Sequence, residues 1–249
     1  MEQSLNIPFF VFLFLAYLYT WFFHYRIVRH NLSLDEAIGR IHYLIGIPGP
    51  AIAAVATASI FGLLAIIKSS FLPITLIFPW WLLAVFVIPA IYLTAAWISS
   101  WQTGKKPKRI FKRPVMGWTA LLLTQLYVVI AEETGWRGFA LPLLSEQFGS
   151  TWGTIILGFI WALWHLPMFS VQTSHQKGAL RRYIYVLVMW SFIMTVIIQG
   201  NHGNILPALI FHASANISFF TMNISEEADR IADWLLGFVA IGLVAIYLI

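Results

Sequence analysis

The sequence predicts an all-α, polytopic membrane protein built as a bundle of about eight transmembrane helices. Hydrophobic residues make up 60% of the 249-residue chain and charged residues 10%, where a soluble domain has about 45–50% and about 25%. Apolar runs near the roughly 20 residues needed to cross a bilayer recur along its length. The basic residues gather in alternate connecting segments. With 15 Lys and Arg and 10 Asp and Glu, the charges are too few to coat a water-soluble globule. The same composition excludes disorder, coiled coil and nucleic-acid binding. There is no cysteine, so disulfides, thiolate nucleophiles and Cys-ligated metals are excluded too.

The first apolar run, residues 7–23, reads as a retained span. The segment before it carries Glu2 instead of a basic cluster, and Arg26 and Arg29 follow where a signal peptide would have small residues. The next runs are 43–67, 71–99 and 116–144. The last two are long enough to tilt, or to break at Pro79, Pro89 or Pro142. Runs 151–170, 183–199, 205–222 and 231–249 complete the set. No repeat or soluble insertion intervenes, so residues 1–249 read as one integral-membrane domain with the lipid bilayer as its partner. Segments 24–42, 100–115, 171–182 and 223–230 hold 13 of the 15 basic residues. The positive-inside rule puts these four on the cytoplasmic side and both termini outside, in the plasma membrane of a prokaryote.

An ionisable side chain inside a span costs about 2.5–3.5 kcal/mol on insertion scales, so each one asks for a partner or a function. Most of these spans carry none. The exceptions are Glu132, Glu133 and Arg137 in the fourth, His165 in the fifth, and His212 with Asn216 in the seventh. With each span centred, Glu132, His165 and His212 fall within about 10 Å of the midplane at about 1.5 Å rise per residue. Three helices with polar groups at similar depth can form one site.

Plainer structural readings apply to each residue. Glu133 and Arg137 stand four apart on one helical face in the favourable order, as a mutually neutralising pair. His165, one turn after Trp161, reads alone as a packed histidine among aromatics, and His212 with Asn216 as an interhelical hydrogen-bonding pair. Glu132 lies about 100° around the helix from Glu133 and has no compensating charge on its own face, which suits a general base. The coincidence of costly groups on three helices favours a functional site. There is no His-Glu-x-x-His and no Gly-x-Ser, and Asp35, Asp229 and Asp233 lie in loops or at a helix edge. A zinc site of that type and a buried aspartate dyad are thereby excluded, and the missing Gly-x-Ser argues against a rhomboid-like serine site. With no nucleophilic side chain left, the chemistry is attack by an activated water.

Three motifs carry a family resemblance. Glu132-Glu133-Thr-Gly-Trp-Arg137 resembles the Glu-Glu-x-x-x-Arg motif of the CPBP (CAAX protease and bacteriocin-processing, or Abi) membrane proteins, which include the glutamate-dependent CAAX prenyl endopeptidases. Trp161-Ala-Leu-Trp-His165 is similar to the family's Phe-x-x-x-His, with Trp for Phe, and His212-Ala-Ser-Ala-Asn216 to its His-x-x-x-Asn/Asp. The resemblance implies an intramembrane endopeptidase acting on prenylated CAAX or other membrane-associated peptides or proteins. By that resemblance Glu132 deprotonates a water held with His165, while His212 and Asn216 donate to the oxyanion. Glu133, Arg137 and Trp161 support them. A second version places a divalent metal such as zinc on Glu132, His165 and His212. No adjacent ligand spacing favours it, and no cofactor is assigned.

Two other functions compete. One is a noncatalytic bacteriocin self-immunity or scaffolding protein that binds a peptide or partner through the same polar bundle. The other is a proton-coupled transporter, which would show an inverted repeat. Here the intramembrane ionisable residues cluster after residue 130, and no such repeat is seen.

Overall fold

The computed structural model describes residues 6–74, 76–105, 110–111, 117–171 and 179–247. Half of the basic segment 100–115, with Lys106, Lys108, Arg109, Lys112 and Arg113, lies outside these residues, as does Lys177. Among the described residues the fold is all-α, with no strand beyond an isolated bridge between Phe111 and Met222. The helices are α1 (Asn6–Arg29), α2 (Ala37–Gly46), α3 (Gly49–Phe61), α4 (Leu64–Phe71), α5 (Phe78–Thr103), α6 (Trp118–Gly135), α7 (Leu141–Trp164), α8 (Leu180–Gly200), α9 (Leu206–Thr221) and α10 (Glu226–Tyr247).

Among the described residues, five stretches are long and apolar enough to cross a membrane: Ile7–Arg29, Ala37–Phe61, Phe78–Thr103, Leu180–Gly200 and Glu226–Tyr247. The apolar α9 is shorter. Phe10, Phe14, Leu18 and Phe22 form an exposed row along α1, and Trp234, Phe238 and Ile241 are exposed on α10. Such surfaces suit lipid as the solvent. The protein is an integral membrane protein.

All eight expected segments contain helix, but several boundaries need correction. The second, 43–67, is divided into α2, α3 and α4, with a left-handed Gly62 (φ 71°) ending α3. The third starts later than residue 71, at Phe78, and continues through Pro89 without ending there. The fourth, 116–144, is not one α-helix. A π-turn at Trp136–Ala140 separates α6 from α7, just before Pro142. Proline has no N–H for the carbonyl four residues back, and its ring crowds that carbonyl. That carbonyl belongs to Gly138, and Ser70 Oγ donates to it at 3.0 Å. The fourth and fifth segments meet at Gly149 (φ 76°, ψ 160°), a non-helical residue that kinks α7 between them.

Two compact units share the chain, Met1–Pro73 with Ile130–Ser191, and Ile74–Val129 with Phe192–Ile249. In the first, α1 packs on α2 and α3, and Thr20 Oγ1 donates to Gly46 O at 2.7 Å. Two glycines let helices close around the polar residues. A Cβ on Gly135 would stand 2.5 Å from Pro50 atoms of α3, and one on Gly158 of α7 would stand 2.9 Å from the Val188 Cα of α8. In the second unit α5 packs on α9 and α10, and Ser214 Oγ donates to Val85 O at 2.6 Å.

Candidate active site

The first unit gathers five of the residues singled out by sequence. Glu132 and Glu133 are buried in the last turn of α6, and Arg137 is buried in the π-turn that follows. The expected pair forms: Arg137 Nη1 lies 3.2 Å from Glu133 Oε1 and 3.1 Å from Oε2, with both side chains fully shielded. Arg137 Nη2 also donates to Ser191 Oγ at 2.9 Å, and Ser191 donates in turn to Leu187 O at 2.8 Å. The guanidinium carbon sits 4.1 Å from the centre of the Trp161 ring. A desolvated cation over an indole face is stabilised by about 2 kcal/mol. An ion pair, a hydroxyl and an aromatic face thus hold one buried charge.

Trp161 connects this cluster to the other carboxylate. Its Nε1–H donates to Glu132 Oε2 at 2.8 Å. One turn on, His165 Nδ1 is 2.8 Å from Trp161 O. A carbonyl only accepts, so Nδ1 carries a proton, and in the neutral ring Nε2 is then the acceptor end. The sequence places His165 inside a span, but it caps the C-terminus of α7, where Leu166–Ser170 continues as a 3₁₀ turn. The cause is Pro167, which disfavours α-conformation at Leu166 and withholds an N–H from Leu163 O. Trp164 and Tyr183 meet the His165 ring edge-on, at 4.7 and 5.3 Å between centroids. Trp21 Nε1 anchors the helix end by donating to Trp164 O at 2.9 Å.

His212 and Asn216 belong to the second unit, both on α9, with His212 buried. Asn216 Nδ2 donates to Gln125 Oε1 at 2.8 Å. Gln125 is buried on α6 and was not singled out by sequence. Its signal is an amide inside an apolar run, two turns before Glu132. Ser191 was also missed, and nothing in its spacing from Arg137, 54 residues away, could reveal that contact. Among the described residues no three His, Asp or Glu side chains are grouped so as to hold a metal ion.

Residues 114–218 match the family model described as type II CAAX prenyl endopeptidase, Rce1-like. This stretch contains all three motifs in order. The motif-bearing segment is thus similar to that family. A curated relative, CAAX prenyl protease 2 of Methanococcus maripaludis, is 27% identical over 131 residues, which are 50% of this chain and 48% of the relative. The chain thus spans about half the length of the curated relative it matches. The matched segment runs from α6 to α9, through the carboxylates, the π-turn, Trp161, His165, His212 and Asn216.

Proposed function

We propose that the protein is an intramembrane endopeptidase that hydrolyses a peptide bond with water activated by Glu132 and His165. Its proposed substrates are prenylated CAAX-type or other membrane-associated peptides, reached from the bilayer. One observation carries the reading: Trp161, in the Rce1-like segment, bonds the buried Glu132 carboxylate through its side chain and sets the His165 tautomer through its carbonyl. On charge bias alone, the basic segments are assigned to the cytoplasmic face of the membrane.

In this mechanism Glu132 accepts one proton of the water while His165 Nε2 accepts a hydrogen bond from the other. The water oxygen attacks the scissile carbonyl carbon, and negative charge develops on the carbonyl oxygen. His212 and an Asn216 N–H donate to that oxyanion. A critical donor of this kind contributes about 2.7–4 kcal/mol in a dry site. Collapse of the tetrahedral species breaks the C–N bond, and Glu132 returns its proton to the departing amine. Glu133, Arg137 and Trp161 keep the base and the π-turn in place.

The test is cleavage of a prenylated CAAX peptide by purified protein in liposomes, wild type against Glu132→Gln. General-base catalysis contributes roughly 10²–10⁴-fold, and a loss of that size is expected, with thermal midpoint unchanged or raised because a buried functional charge has been neutralised. Full activity in Glu132→Gln would refute the mechanism. No cleavage by either form, with peptide binding retained by both, would put the noncatalytic scaffold or immunity reading ahead.

A further inference from the structure

We infer that Trp161 is a positioning residue that fixes the plane of the Glu132 carboxylate, a role that rests on Glu132 being the base. The terminal torsion of a glutamate is broad and roughly two-fold, so burial alone does not orient its oxygens. Here the indole N–H takes Oε2 at 2.8 Å, tying one oxygen to a ring fixed on α7. The ring is itself restrained, because its face lies 4.1 Å from the Arg137 guanidinium carbon. That guanidinium is held by Glu133 and by Ser191 Oγ. Orientation therefore passes from the Glu133–Arg137 pair through the indole to the base, across contacts that all lie in the first unit.

The aromatic type matters for this role. The motif this segment resembles has phenylalanine at the position of Trp161, and a phenyl ring can cover Arg137 but has no donor for Glu132. The chain replaces a ring that only packs with one that packs and binds. A Phe at 161 keeps the face and loses the N–H that Glu132 Oε2 accepts.

The experiment combines kinetics with a signal that needs no turnover. In Trp161→Phe, kcat should fall about tenfold, the worth of a hydrogen bond to a charged group, with KM unchanged. Trp161→Leu loses the ring face as well and should lower the thermal midpoint further than Trp161→Phe does. In protein with 15N-labelled tryptophan, the Trp161 indole signal is the one of twelve that Trp161→Phe removes. It should shift in Glu132→Gln, where the acceptor loses its charge. An unmoved signal overturns the bond whether or not the protein is active. A shifted signal with wild-type kcat in Trp161→Phe overturns the positioning role. Full activity in Glu132→Gln removes the base, and the positioning role with it, while the bond is still judged by the indole signal.

Discussion

The two units bury polarity in different ways. In the first, two carboxylates and a guanidinium are shielded from solvent, and the guanidinium is held by a carboxylate, a hydroxyl and an aromatic face at once. In the second, the candidate residues His212 and Asn216 carry no permanent charge, and Asn216 is joined to Gln125 by one amide–amide bond. A permanent charge in a membrane span is costly enough to require support from several sides. A neutral amide costs less and needs fewer fixed partners, so it can keep one N–H for a ligand. Stability should therefore depend mainly on the first unit's pair, and the second unit's residues should affect activity more than folding.

Glu133→Gln should have the largest effect. It leaves the Arg137 charge buried without its carboxylate, and breaking such a pair costs about 3–5 kcal/mol. Unfolding of the purified protein in detergent should show a large fall in stability, greater than for any substitution in the second unit. An equal fall in Asn216→Ala would erase the contrast between the units. Asn216→Ala itself should lose roughly 10²–10³-fold in turnover, the effect of one oxyanion donor. Its unfolding free energy should change by no more than about 1.5 kcal/mol, the net worth of one ordinary hydrogen bond. If turnover survives in Asn216→Ala, the amide is not an oxyanion donor.

What could be read from the sequence follows from how lipid sorts side chains. Bilayer spans must be apolar, so Glu132, Glu133, Arg137, His165 and His212 stand out against their runs, and the Glu133–Arg137 bond followed from four-residue spacing alone. The π-turn at Trp136–Ala140 was not readable, because a helix widened over five residues leaves the apolar pattern almost unchanged. The Trp161 bond was hidden for another reason. Tryptophan counts as an apolar filler in such a run, and its N–H has no periodicity of its own. Ser191 was invisible because its contact with Arg137 is tertiary. Gln125 was readable in principle, since an amide in a membrane run is expensive on the same terms as the histidines.

Gln125→Leu gives the smallest expected effect and the finest test of the comparison. Leucine nearly conserves the volume and removes the acceptor for Asn216 Nδ2, so little packing is lost. Asn216 keeps both N–H groups, but its amide plane is no longer fixed by Gln125. Misorientation of a donor is a partial loss, so turnover should fall by about tenfold or less, the equivalent of one modest hydrogen bond. Stability should stay within about 1 kcal/mol, because the freed amide is neutral. If Gln125→Leu instead unfolds the protein as readily as Glu133→Gln does, the second unit depends on its amide pair as the first depends on its ion pair. The economy of neutral groups would then not explain the difference between them.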